Sequence, residues 1–198
     1  MTPVLLASRS ASRAAILKGA GVAFETAVSG VDETAAKERL LAAGADPKAI
    51  AARLAEMKAL AVSAARPEAL VIGADQTLDL AGRLYDKAES LAEARERLLE
   101  LRGQTHLLHS AVVVARAGAS VWRVIESPRL TMRAFSDAYL DSYLDRLGET
   151  LLGSVGCYQL EGEGAQLFER IEGDYFAILG LPLAPLLGCL RDAGVLPT

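Results

Sequence analysis

Charged and hydroxyl side chains gather at a few points of this chain where an apolar run breaks off. The first is Ser8-Arg9-Ser10-Ala11-Ser12-Arg13, set between the apolar run Val4-Leu5-Leu6-Ala7 and the helix-like run Ala14-Ala15-Ile16-Leu17. A strand that turns directly into a helix leaves free backbone N–H groups at the helix start. Those groups and the positive end of the helix dipole favour an anion. Ser8, Ser10 and Ser12 add hydroxyl donors, and Arg9 and Arg13 add positive charge. The stretch matches neither the GxxxxGK[ST] phosphate loop nor the GxGxxG dinucleotide loop. An ordinary serine-capped helix with surface arginines accounts for the same residues.

Further ionic residues recur beside loops: the Asp32-Glu33 pair, Lys58, Asp75 and Lys87. Phosphate-ester chemistry needs such a set. Cations or a metal neutralise the phosphate oxygens, carboxylates hold the metal, and one carboxylate can orient or deprotonate water. Mg²⁺ prefers oxygen ligands and takes one or two carboxylates plus substrate phosphates, a demand Glu33 and Asp75 would fit. Helix-start electrostatics also explains Asp32-Glu33, and a solvated helix face also explains Lys58. Asp75 is harder to explain away. It interrupts the apolar run Leu70-Val71-Ile72-Gly73-Ala74, where an acid costs stability unless it has a partner.

The elements that must position these residues follow from spacing. A helix is expected from Ser10 to about Ala20, a strand over Phe24–Val28, and a helix from about Thr34 to Ala43. Asp46 as cap and Pro47 at the first helical position start another helix, running to about Ala65. Ile50, Leu54, Met57 and Ala61 form its core stripe, with Lys58 beside it. Leu70–Thr77 reads as a strand, and Ser90 caps a helix to about Leu101. A long strand Leu107–Ala117 pairs antiparallel with Val121–Arg133. Ser136-Asp137 caps the next helix. Leu151–Leu160 reads as short strand and loop, and Gly162–Gly180 as irregular, with an apolar turn at Leu167-Phe168. A last helix ends near Ala193. The alternation of elements argues an α/β class with a mixed sheet flanked by helices.

Composition narrows the function. The 198 residues suit one domain over 1–198, and 52% hydrophobic residues suffice for a full core. A net charge of −4 speaks against a protein that wraps nucleic acid, but allows a small nucleotide. Cys157 and Cys189 lack metal spacing and predict a buried residue and a helix residue rather than a disulfide. No segment reads as a signal peptide or reaches the roughly 20 apolar residues of a membrane helix, so a cytoplasmic protein is expected. His106 and His109 point to opposite faces of a strand and cannot share a metal, which leaves structural or surface roles. Tyr158 and Tyr175 could stack on a base, though core packing is the commoner use, and Trp122 reads as packing. No GxSxG, HExxH or paired CxxC motif is present.

Taken in order, the pieces resemble the Maf family of nucleoside triphosphate pyrophosphatases. The resemblance rests on Leu6–Arg13, Gly30-Val31-Asp32-Glu33, Glu56-Met57-Lys58-Ala59, Gly73-Ala74-Asp75-Gln76, Leu101–His106, Val155-Gly156-Cys157-Tyr158, and Glu172-Gly173-Asp174-Tyr175 followed by Gly180-Leu181-Pro182-Leu183. It covers essentially the whole chain. It implies an elongated, twisted mixed sheet flanked by helices, with two lobes and a central cleft, as in the inosine-triphosphate pyrophosphatase superfamily. It implies hydrolysis of a nucleoside triphosphate to monophosphate and pyrophosphate, dependent on Mg²⁺ or Mn²⁺. Asp75 matches the family's proton acceptor. Ser8, Arg13, Glu33, Lys58 and Lys87 match its other cleft residues, with Ser8 and Arg13 on the phosphates, Lys58 and Lys87 in catalysis, and Glu33 and Asp75 on metal.

Ser12, Gln76 and Glu161 fall on the family's selectivity positions. Gln76 and Glu161 look more like the 7-methyl-GTP branch than the dTTP/UTP branch, and a carboxylate suits the N1–H and amino donors of a guanine edge. Departures from the usual pattern are Ala11-Ser12 for Pro-Arg and Lys87-Ala88 for Lys-Pro. A house-cleaning enzyme acting on modified nucleotides is the leading expectation, with a homodimer, by fold-level analogy, through strands near 107–133. The alternative is a nucleotide-binding regulator of cell division or septum formation with little turnover.

Overall fold

The computed structural model describes residues 2–197. The fully buried strand β1 (Val4–Ala7) pairs parallel with β2 (Glu25–Thr26) on one side and β3 (Leu70–Leu80) on the other. Parallel pairs need crossovers. Helix α1 (Ala11–Gly19) supplies the first, and α2 (Glu33–Ala42) with α3 (Pro47–Ala65) the second. β3 then runs antiparallel to β5 (Thr105–Arg116), and β4 (Arg83–Tyr85) folds back on the end of β3. β6 (Ala119–Glu126) and β7 (Arg129–Met132) pair with successive parts of β5, and β8 (Phe168–Glu172) lies on β7. The sheet order is β2-β1-β3-β5-β7-β8, with β4 on β3 and β6 on β5. The expected mixed α/β sheet is therefore present. Within residues 107–133, β5 is an interior strand and only β6 carries a free edge.

Two separate hydrophobic clusters lie along this sheet. One gathers Leu6, Leu17, Ile72, Val112 and Leu186 under α1 and α7 (Leu183–Asp192). The other gathers Leu78, Leu98, Leu108, Leu130 and Tyr143 under α4 (Leu91–Leu101) and α5 (Asp137–Leu147). β3 and β5 run through both. Asp75 and Gln76 sit on β3 between Ile72 and Ala74 of the first cluster and Leu78 of the second. Polar side chains are thus delivered at the seam between two cores.

α3 has the expected bounds, but its buried face differs. Ile50 and Leu54 are buried, Met57 is half-buried and Ala61 is exposed. The sheet is met instead by Ala51, Ala55 and Ala59, with Lys58 among them. The small face wins because α3 lies unusually close to β3. A methyl group added at Gly73 would stand 2.6 Å from Ala59 N, and nearer still to the Ala55 carbonyl. Glycine on the strand and alanine on the helix permit that approach.

Other expectations need correction. The strand expected over Val121–Arg133 breaks at Ser127-Pro128, since proline cannot donate to the ladder. Phe24–Val28 keeps only two strand residues. Leu151–Leu160 contains no strand, and its start belongs to a 3-10 turn over Gly148–Gly153. Gly162–Gly180 is more regular than expected, holding β8 and a short helix, α6 (Tyr175–Ile178). The histidines are structural. His106 Nε2 lies 2.7 Å from the Tyr158 hydroxyl, and His109 bridges Ser127 Oγ at 2.8 Å and Asp79 Oδ2 at 3.1 Å. Tyr158 is core, Tyr175 is exposed, and Trp122 packs at the edge of the first cluster. Cys157 is buried, Cys189 lies in α7, and both are free thiols. Among the described residues, no helix is long and apolar enough to cross a membrane.

Candidate active site

Lys58 leaves α3 on its sheet-facing side, and its ammonium is caught between two carboxylates. Nζ lies 2.6 Å from Asp75 Oδ1 on β3 and 2.7 Å from Glu33 Oε2 at the start of α2. Lys58 is 5% exposed and Asp75 8%, so neither is on a solvated face. The buried acid has its partner, as the cost of interrupting an apolar strand demands. Asp32 and Glu33 divide their work. The Asp32 carboxylate caps α2 by accepting from Ala35 N at 3.0 Å, while Glu33 turns inward to Lys58.

Arg13 is the second cation of the cluster, and it is buried. Its Nε donates to Gly180 O at 2.8 Å, and its Nη1 donates to Ser8 Oγ and to Ala74 O, both at 3.1 Å. One guanidinium thereby ties α1, the strand-to-helix loop, β3 and the segment after α6. Among the described residues Nη2 makes no hydrogen bond, so its donors are the ones left for a ligand. Ser10 caps α1 through Arg13 N, Ser8 Oγ also accepts from Ser10 N, and Arg9 is exposed.

Electrostatics follows from this burial. Desolvation raises the Asp75 pKa above the ordinary carboxylate value, against the opposing pull of Lys58 and Arg13, and Glu33 adds to the rise. Burial lowers the Arg13 pKa, partly offset by Asp75 and Glu33. Lys87, in the loop after β4, is solvent-exposed yet close enough to feel the cluster. Partial desolvation, then Arg13, lowers its pKa, while Glu33 and Asp75 oppose the shift. Three cations and two carboxylates therefore form one cluster with net positive charge, suited to a polyanion with a proton acceptor at its side.

Several supporting residues carry no sequence motif. Arg97 of α4 donates through Nη1 to the carbonyl of Asp86, next to Lys87, and to Val155 O at 2.9 Å. The Asp86 carboxylate pairs with Lys37 of α2. These contacts hold the Lys87 loop. From sequence, Arg97 offered only an i,i+4 spacing to Glu93.

The expected selectivity residues are placed differently from one another. Gln76 is half-buried, and its Nε2 lies 2.8 Å from Ser110 Oγ, 3.1 Å from Ala177 O and 3.0 Å from Ile178 O. Ser12 is exposed on the first turn of α1, and Glu161 is exposed in a loop. Among the described residues, no side-chain hydrogen bond or ion pair ties either to the cluster.

A divalent cation can be tested against the donors present. Among the described residues no three His, Cys, Asp or Glu side chains converge on one point. The point between the Asp75 and Glu33 oxygens is taken by the Lys58 ammonium. The second oxygen of each carboxylate remains. Two carboxylate oxygens, completed by phosphate oxygens and water, satisfy a hard octahedral ion. The residues fit such an ion.

Residues 3–193 match the family described as Maf-like protein. A nucleoside triphosphate pyrophosphatase of Caulobacter vibrioides is 66% identical over 196 residues, covering 99% of this chain and 98% of the relative. A 7-methyl-GTP pyrophosphatase of Rhizobium meliloti is 50% identical over 197 residues, 99% of each chain. A nucleoside triphosphate pyrophosphatase of Rhodospirillum rubrum is 53% identical over 194 residues, 98% of this chain and 96% of the relative.

Proposed function

This chain belongs to the Maf-like family, and we propose that it is a nucleoside triphosphate pyrophosphatase, a hydrolase yielding nucleoside monophosphate and pyrophosphate. The observation that carries the reading is the buried Glu33–Lys58–Asp75 cluster beside Arg13, at the seam between two cores.

In this reading Ser8 and the free Nη2 of Arg13 grip the phosphates from the α1 side. Lys87 and Lys58 counter the charge that builds on departing pyrophosphate. Asp75 accepts a proton from water as its oxygen bonds to the α-phosphorus. The bridging oxygen to the β-phosphorus leaves with the bond's electron pair, as pyrophosphate. Lys58 holds Asp75 ionised and aimed, against the desolvation that favours its neutral form. Glu33 and Asp75 would hold Mg²⁺ or Mn²⁺ together with the substrate. When bound, that ion neutralises phosphate oxygens.

A methylated guanosine triphosphate is the preferred substrate in this reading. It is supported by the names of several relatives and by the acceptor character of Glu161 towards guanine's donors. The same reading makes the protein a cytoplasmic house-cleaning enzyme working as a homodimer, for which the free edge of β6 is the available strand. The test is pyrophosphate release across canonical and methylated nucleoside triphosphates with Mg²⁺ or Mn²⁺. Release fastest from 7-methyl-GTP is expected. Calorimetric binding without release from any nucleotide would instead favour a binding regulator.

A further inference from the structure

Ser110 is completely buried, lies directly across from Gln76 on β5, and belongs to none of the charged contacts above. Its Oγ donates to Ala177 O at 2.6 Å, which leaves its lone pairs to accept from Gln76 Nε2 at 2.8 Å. A serine has one hydroxyl proton, so that choice is forced once Ala177 takes it. The Ala177 and Ile178 carbonyls face the same Gln76 nitrogen. A reversed amide would set Oε1 against two carbonyl oxygens, and the one proton near enough to relieve it, that of the Ser110 hydroxyl, is given to Ala177 O. The polarity of Gln76 is therefore fixed by the fold. Its nitrogen is consumed, and its oxygen is turned the other way.

Where that oxygen points is shown by Gly180, at φ +94°. A methyl group built there would stand 3.7 Å from Gln76 Oε1, 3.4 Å from Arg13 Nε and 3.5 Å from Arg13 Nη2. One small space is thus bordered by an acceptor, Gln76 Oε1, and by the arginine nitrogen that has no hydrogen-bond partner among the described residues. Glycine at 180 keeps that space open. Arg13 holds the Gly180 carbonyl, and Ser110 and Gln76 hold residues 177 and 178, so both ends of the segment bordering the space are secured.

We propose that Ser110 is a specificity-determining positioning residue. Acting through Gln76, it makes the site offer a hydrogen-bond acceptor beside Arg13, so the nucleotide group that meets Gln76 must be a donor. This rests on the pyrophosphatase reading for its substrate class. Ligands that place an acceptor against Gln76 Oε1 bind less well, because that oxygen cannot turn away without breaking the amide's contacts to residues 177 and 178.

A double-mutant cycle tests the proposal, using wild type, Ser110→Ala, Gln76→Ala and the double variant. The readout is the kcat/KM ratio within pairs of nucleoside triphosphates that differ by one donor, either in the base (guanosine against inosine triphosphate) or in the sugar (ribose against 2′-deoxyribose). Each single variant is expected to change that ratio by about fivefold to tenfold, the weight of one hydrogen bond. The double variant should match Gln76→Ala. A ratio unchanged in both pairs for Ser110→Ala, or a Ser110 effect that persists without Gln76, overturns the proposal. A second measurement needs no turnover: solvent exchange of the Gln76 side-chain amide protons by NMR. Slow exchange in wild type, about tenfold faster in Ser110→Ala, supports the proposal, and fast exchange in wild type overturns it. If wild type releases no pyrophosphate, the enzymatic reading fails while the exchange measurement still reports whether Ser110 holds Gln76.

Discussion

The Lys58 ammonium stands 2.6 Å from the Asp75 carboxylate, and both side chains are buried. Each group makes the other's burial tolerable. Removing one leaves the remaining charge desolvated, which is the expensive case for a buried pair. Glu33 on the far side of the same ammonium makes the arrangement a bridge between α2, α3 and β3.

Lys58→Met should therefore cost about 3 kcal/mol of folding free energy. It also removes the main counter-charge to Asp75, so Asp75 should hold its proton to higher pH. Chemical denaturation at neutral pH and an NMR titration of Asp75 check the two halves. An unchanged denaturation midpoint would mean that the bridge does not support the fold.

The raised Asp75 pKa gives the pH dependence a definite sign. A proton acceptor must be ionised, so kcat/KM should fall as pH drops through that raised value, which lies above about 4. Glu33 contributes to the rise, so Glu33→Gln should move this acid limb to lower pH, whatever it does to the maximal rate. Stability runs the other way. The native state keeps the Asp75 proton to higher pH than the unfolded chain does. This group's contribution is full below about 4 and is lost as pH rises through the native value.

His106 acts oppositely in an overlapping window. Burial lowers its pKa to about 4, so the unfolded chain, at about 6.5, binds the proton first as pH falls. Its contribution is present above about 6.5 and declines towards pH 4, by about 3 kcal/mol over the window. His106→Gln, which can keep a hydrogen bond to Tyr158, should flatten the pH dependence of the denaturation midpoint there.

Gly73→Ala should damage both fold and site. Its methyl group has no room against Ala55 and Ala59, so α3 must shift outward from β3. Overpacking of this kind costs about 1–3 kcal/mol. Because Lys58 precedes Ala59, the same shift pulls the ammonium from Asp75. Loss of activity beyond the loss of folded protein is expected, measured as turnover per folded molecule.

Asp75 was legible because an acid inside an apolar strand demands a partner, and its partner proved to be Lys58. Lys58 itself was less so. Hydrophobic spacing put Met57 and Ala61 on the core side of α3, whereas the close approach at Gly73 selects an alanine face that spacing hardly registers. The strand-to-helix loop pointed to an anion site at Arg13. It could not show that most of the guanidinium is spent on Ser8, Ala74 and Gly180, the last far away in sequence. Ser110 was invisible for the same reason. Its partners lie on β3 and in the segment of α6, and only folding brings them together. β8 is not legible in the sequence because its five residues hold only two apolar ones, Phe168 and Ile171, three apart, which is not the alternation of a strand.

The most direct test of the account is pyrophosphate release by Asp75→Asn beside wild type, at matched folded concentration and saturating metal and nucleotide. Asparagine keeps the shape and gives up the proton-accepting charge. The account predicts a fall in kcat of about a hundredfold or more with nucleotide still bound. Turnover near the wild-type rate would contradict it.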